Sequence, residues 1–205
     1  MKINNFSFIP FLEGLLINEA KKITSCYLLR GEVTIEVDIS NLKPVVLFLK
    51  DHESCLFKVF IDMFVVDYQN KENRFEVVYH LLSTKYNTRI KLKTFVNEFT
   101  PVPSIVDIYQ AANWAEREVW DMHGVYIEQH PDLRRILTDY GFEGYPLRKD
   151  FPLSGYTEVR YDESQKRVIY EPVELTQEFR VFHFNSPWEI CKKKIITYKR
   201  NYETY

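Results

Sequence analysis

The order of apolar patterns along this 205-residue chain predicts an α+β fold. A mostly antiparallel sheet carries helices on one side, and a long extended carboxyl-terminal arm follows. Three observations carry that reading. Ile105, Ile108, Ala112, Ala115, Val119 and Met122 step by three and four, the spacing of one helix face. Arg89-Ile90-Lys91-Leu92-Lys93 alternates as a strand with one wet face does. Beyond the His123-Gly124 pair neither period persists, although aromatic residues stay dense.

Taken in order, Pro10 to Ile23 reads as an amphipathic helix with Phe11, Leu15, Leu16 and Ala20 on one face. Cys26 to Val37 reads as one strand. Asn41 to Asp51 is a second helix with Leu42, Val45, Val46 and Leu49 inward, and Pro44 is expected in its first turn, where the missing N–H costs nothing. Leu56–Tyr68, Phe75–Thr84 and Arg89–Asn97 are strand material, with a hairpin turn expected at Tyr86-Asn87-Thr88. Thr100-Pro101-Val102-Pro103 marks a boundary before the third helix. The globular domain is expected over residues 1–125. Residues 126–205 form the arm and tail, with short elements at Asp132–Thr138 and a strand at Arg167–Tyr170.

Composition narrows the function classes. Hydrophobic residues make up 45% and charged ones 27%, the balance of a water-exposed globular protein. A formal net charge of -2 argues against a dedicated nucleic-acid binder. No window reaches the roughly 18 apolar residues of a membrane span, so membrane association is expected only through partners. Cys26, Cys55 and Cys191 lie far apart without CxxC spacing, which argues against structural zinc or an iron–sulfur cluster. His123 and His130 are separated by Gly124 and followed by Pro131, so they share no helical metal-binding face. Gly141 and Gly144 flank Phe142-Glu143 as turn residues and build no phosphate-binding loop. Glu13 and Glu19 make the amino terminus unlike a targeting peptide. Abundant Phe, Tyr, Ile, Lys and Asn, which have AT-rich codons, point to mitochondrial encoding, with a bacterial origin as the alternative.

The most informative stretch runs from Ala112 to Asp162: ANWAEREVWDMHGVYIEQHPDLRRILTDYGFEGYPLRKDFPLSGYTEVRYD. Glu116-Arg117-Glu118 precedes Trp120-Asp121, and a polar ridge 113–117–121 is expected on the third helix. Arg134, Arg135, Arg148, Lys149 and Arg160 are interleaved with Tyr140, Phe142, Tyr145, Phe151 and Tyr156. Such a mixture suits a protein interface. Asp132, Asp139, Glu143, Asp150, Glu158 and Asp162 nearly cancel the positive charge, which disfavours a nucleic-acid groove. No nucleophile or metal set accompanies these carboxylates, so catalytic use is not expected. Lys192-Lys193-Lys194 reads as a solvated basic end.

These motifs resemble those of the 30-kDa subunit of respiratory complex I, the NADH:ubiquinone oxidoreductase. The resemblance is close over residues 100–190, including Phe179-Arg180 and Ser186-Pro187-Trp188-Glu189, and pattern-level before that. It implies a cofactor-free scaffold subunit of the hydrophilic arm, without activity of its own. NADH, FMN, iron–sulfur clusters and ubiquinone would be held by partner subunits. The implied partners are the hydrogenase-like 49-kDa subunit and the subunit carrying the last cluster. The implied place is the matrix side of the mitochondrial inner membrane, or the cytoplasmic face of a bacterial plasma membrane. Family-motif or interface residues would be Glu116, Arg117, Glu118, Trp120, Asp121, Gly124, His130, Pro131, Asp132, Arg134, Arg135, Asp139, Gly141, Gly144, Arg148, Lys149, Asp150 and Arg160. Two positions depart from the family pattern, His123 after Asp121-Met122 and His183 in a Phe-x-Phe pair.

Overall fold

A computed structural model describes residues 21–29, 31–182 and 196–198. The expected first helix lies outside them, except that Lys21-Lys22 form a turn and Ile23 already opens a strand. The expected single strand Cys26–Val37 is instead a hairpin, β1 (Ile23–Leu29) and β2 (Glu32–Val37). Gly31, at φ 84°, supplies the left-handed step between them. The pairs Leu28↔Val33 and Cys26↔Ile35 keep both apolar sets on one face.

Helix α1 (Ile39–Asp51) follows, with Leu42, Val45, Val46 and Leu49 buried. Each such burial contributes roughly 1.5–3 kcal/mol. The helix begins earlier than expected, so Pro44 sits in its second turn and withdraws one i→i−4 hydrogen bond. Strands β3 (Val59–Asp67), β4 (Phe75–Ser83) and β5 (Thr88–Val96) form an antiparallel meander. The turn between β4 and β5 spans residues 84–87, and Asn87 takes the left-handed conformation at φ 48°.

Short strand β6 (Val102–Pro103) comes next, then helix α2 (Ala112–His123), β7 (Ile127–Glu128), β8 (Thr157–Asp162), β9 (Arg167–Pro172) and β10 (Ile196–Tyr198). The main sheet has the order β10-β1-β2-β5-β4-β3. All neighbours in it are antiparallel except β2 and β5, which run parallel with Val33↔Ile90 and Ile35↔Leu92 in register. One face is continuous across the strands through Val33, Ile35, Ile90, Leu92, Tyr79 and Leu81, and the buried residues of α1 and α2 join its core. The architecture is therefore mixed α and β, with a mostly antiparallel sheet and two helices among the described residues.

The apolar stripe from Ile105 to Met122 overstates α2. Ile105 and Ile108 are buried, yet residues 104–111 make turns before the helix starts at Ala112. Asp132–Thr138 forms no helix or strand, whereas Arg167–Tyr170 lies within β9, paired with β8. Cys26 and Cys55 are free and buried, and burial pushes the Cys26 thiol up to about 11. Cys191 lies outside the described residues.

Candidate subunit interface and the buried anchors behind it

Helix α2 turns its charges inward. Glu116 is 1% exposed. Its carboxylate accepts from the Ser104 hydroxyl at 2.7 Å and the Ile105 N–H at 2.7 Å, tying the helix to the turns before it. Burial pushes this carboxyl up to about 7, with the Ile105 and Ser104 hydrogen bonds only partly offsetting it. The His130 side chain lies 3.8 Å away, also buried. His130 Nδ1 accepts the Asp132 N–H at 3.0 Å, which leaves the Nε2 proton to the Asn113 carbonyl at 3.2 Å. His130 therefore closes a loop against the helix, and its contact with Glu116 is secondary.

Asp121, fully buried, does the equivalent work one turn on. It accepts the N–H groups of Ile136, Leu137 and Thr138 at 3.1, 2.7 and 3.0 Å, and the Thr138 hydroxyl at 2.5 Å. Burial alone would raise this carboxyl; the four donors together outweigh it and hold it below the usual range. Arg117 donates from Nε to the Arg134 carbonyl at 3.2 Å and lies over the Trp114 ring. The 113–117–121 ridge is thus roofed by residues 130–138 of the same chain rather than left as a free surface. Only Glu118 of the charged trio is exposed.

Gly124 ends α2 in the left-handed conformation at φ 72°. A Cβ there would lie 2.5 Å from Tyr145 Cζ and 2.8 Å from Arg148 Nη2, so glycine is needed for space as well as conformation. Gly144, at φ 103°, is similarly pressed by the Phe151 ring, whereas a Cβ on Gly141 would meet nothing. Trp120 sits edge-on to both Tyr126 and Tyr145.

Residues 145–151 are latched to the sheet. The Leu147 N–H donates to Met122 O at 3.0 Å and Arg148 Nε to His123 O at 2.7 Å. The Lys149 N–H donates to Asp67 Oδ2 at 2.8 Å. Arg74 grips Asp67 with two nitrogens at 2.7 and 2.8 Å, and also reaches Glu98 at 2.5 Å and Asp150 at 3.0 Å. That guanidinium is the main reason the Asp67 carboxyl lies below the usual range. Sequence reasoning missed Asp67, Arg74 and Glu98, which fall in strand ends and loops without any motif. His123 is buried, and burial drops its imidazole to about 4. It therefore fills a core position as a neutral aromatic ring. His183 lies outside the described residues.

Outward-facing residues are of another kind. Pro131, Asp132, Arg134, Arg135, Asp139 and Lys149 are exposed, and Arg134 pairs with Asp132 at 2.9 Å. Arg160 pairs with Glu171 across the β8–β9 hairpin at 2.5 Å. The opposite face of that hairpin carries Val159, Tyr161, Val168 and Tyr170, each more than half exposed. Tyr140 is 99% exposed and Leu153 78%. Most exposed large hydrophobic residues among those described lie between Trp114 and Phe182. No three His, Cys, Asp or Glu side chains gather as a metal site among the described residues, and no helix there is long and apolar enough to cross a membrane.

Known proteins match this arrangement. The family model described as "Respiratory-chain NADH dehydrogenase, 30 Kd subunit" matches residues 35–157. NADH-ubiquinone oxidoreductase subunit 9 of Reclinomonas americana is 61% identical over 160 residues, covering 78% of each chain. An NADH-quinone oxidoreductase subunit of the bacterium Methylobacterium radiotolerans is 58% identical over 159 residues, covering 78% of this chain and 74% of its own. Among solved structures, a chain of the membrane-bound sulfane sulfur reductase, an archaeal respiratory membrane complex, aligns with a TM-score of 0.60 and 27% identity. That alignment covers 71% of this chain and 86% of the other. The chain belongs to the family of the 30-kDa subunit of respiratory-chain NADH dehydrogenase, part of complex I.

Proposed function

We propose that this chain is a cofactor-free scaffold subunit in the hydrophilic arm of proton-pumping NADH:ubiquinone oxidoreductase. Electrons would pass from NADH to ubiquinone through groups held by its partners, with no catalytic residue supplied here. The supporting observation is the contrast within residues 114–182. Their inner side is fixed by Glu116, Asp121, Asp67 and Arg74, while the outer side exposes aromatic and aliphatic residues at a density unusual for a protein surface left in water. Among the described residues, the ionisable groups of this stretch that lie closest together are engaged in structural hydrogen bonds rather than set as a nucleophile beside a base.

The partners proposed for that outer side are the hydrogenase-like 49-kDa subunit and the subunit carrying the last iron–sulfur cluster. The proposed location is the matrix side of the mitochondrial inner membrane, supported by the Phe-, Tyr-, Ile-, Lys- and Asn-rich composition. Native mass spectrometry of complexes purified through a tag on this chain tests the proposal. The tagged chain should arrive with flavin- and cluster-bearing subunits, and after dissociation it should be colourless and free of iron and flavin. A tagged chain that arrives alone, or that keeps stoichiometric flavin or iron after dissociation, would overturn it.

A further inference from the structure

A cleft of about 290 Å³ runs between β3 and α2. Its strand side is lined by Met63, Phe64, Val65, Val66 and Asp67, five consecutive residues. Successive strand side chains point to opposite faces, so a cleft lying over one face would meet only every second residue. Contact with all five means that the cleft follows the strand's edge. β3 is the last strand in the sheet order, and no described strand pairs beyond it. The Met63 N–H is taken by its neighbour, donating to Asp62 Oδ1 at 2.8 Å. Beyond it, the outward N–H and C=O groups from Phe64 to Asp67 meet no further strand among the described residues and form a hydrogen-bonding template. Val59, Ile61 and Phe64 stand exposed along the same strand.

The opposite wall brings Val119 and Met122 of α2, with Leu147 on the rim. Together with Met63 and Val65 they make an apolar floor. His123 and Asp67 also line the cleft, both buried and Asp67 already held by Arg74. The two charges that remain, Glu118 on the helix and Lys149 on the latched loop, are exposed and in no ion pair among the described residues. A floor of this kind with one free edge and one charge of each sign specifies an extended segment rather than a helix. A helix would bury its own backbone and leave the β3 groups unmet.

Resting on the functional reading above, we propose that the β3 edge receives an extended segment of a neighbouring subunit in the assembled complex. The segment adds one strand to the sheet. It places an apolar side chain on the Met63–Val119–Met122 floor, a basic residue toward Glu118 and an acidic one toward Lys149.

Amide exchange on the isolated full chain and on the intact purified complex tests this. Amides of β3 that already bond β4 should be slow in both. The alternate, outward amides between Phe64 and Asp67 should slow by about tenfold or more in the complex only. A photo-crosslinking benzoylphenylalanine in place of Leu147 should join one segment of one neighbouring subunit. Unprotected outward amides in an intact complex, or a crosslink only to a second copy of this chain, would sink the inference and leave the scaffold reading standing. Failure of the chain to enter any complex would sink both.

Discussion

Replacing Asp121 with Ala should free the loop that roofs α2. The carboxylate accepts three backbone N–H groups and the Thr138 hydroxyl while itself fully buried. A hydrogen bond to a charged group is worth about 1.5–3 kcal/mol, less where water can replace the acceptor. The loop is partly exposed at Ile136 and Thr138, so about 1 kcal/mol for each of three lost N–H bonds is a reasonable floor. A loss of about 3 kcal/mol raises the local opening constant roughly 100-fold. Hydrogen exchange at Leu137 and Thr138 reads this directly, with strand amides such as Tyr79 as an internal reference. Thr138→Val removes one bond of the four and should accelerate exchange only about fivefold, for about 1 kcal/mol. Equal exchange in Asp121→Ala and the parent chain would refute the claim that this side chain holds the loop.

Two buried groups make stability depend on pH. The Glu116 carboxyl rises from 4.5 to about 7 in the fold, so its stabilising contribution is complete below about pH 4.5 and is lost as pH climbs through 7. The His123 imidazole falls from 6.5 to about 4, so its contribution is complete above 6.5 and is lost as pH drops toward 4. Between pH 4.5 and 6.5 the two slopes, each about 1.4 kcal/mol per pH unit, oppose one another. In urea unfolding, Glu116→Gln should then lose stability on acidification and His123→Leu on alkalinisation; unchanged pH profiles would contradict both assignments. Arg74→Ala leaves Asp67, whose side chain is 1% exposed, without its main counter-charge and should cost about 3–5 kcal/mol in unfolding experiments. Arg160→Ala on the exposed hairpin should leave stability unchanged. Gly124→Ala should destabilise by about 2 kcal/mol or more through its left-handed backbone and the displaced Tyr145, measured the same way.

Much of the sheet was legible because its physics is local. The alternation at Ile90 and Leu92, the inward set of α1 and the β3–β4–β5 meander follow from side-chain periodicity. The β1–β2 hairpin was not, because the reversal rests on the left-handed backbone of Gly31, which side-chain periodicity does not report. The stripe through Ile105 and Ile108 reads as helix because burial recurs at the right spacing. Ser104 and the Ile105 N–H are instead committed to Glu116. Burial of Glu116, Arg117 and Asp121 had no local signature at all. Their partners sit at residues 104–105 and 134–138, and only the folded chain brings these together. Family motifs marked the stretch. Its division into anchors inside and apolar surface outside emerges only from where the folded chain puts each side chain.

The arm shows the same division. Residues 145–151 pack on the chain's own sheet, whereas from Leu153 onward the β8–β9 hairpin and the segment to Phe182 are largely exposed. A two-stranded hairpin is marginal alone in water, so its apolar face is expected to be covered by neighbours. Limited trypsin digestion of the isolated full chain beside the intact complex decides the matter. Cuts are expected at Arg160, Lys166 or Arg167 in the isolated chain, with an intact core up to Phe151, and those same sites should be protected in the complex. Equal resistance, or equal cutting, in the two states would contradict the claim that this surface exists to be covered by other subunits.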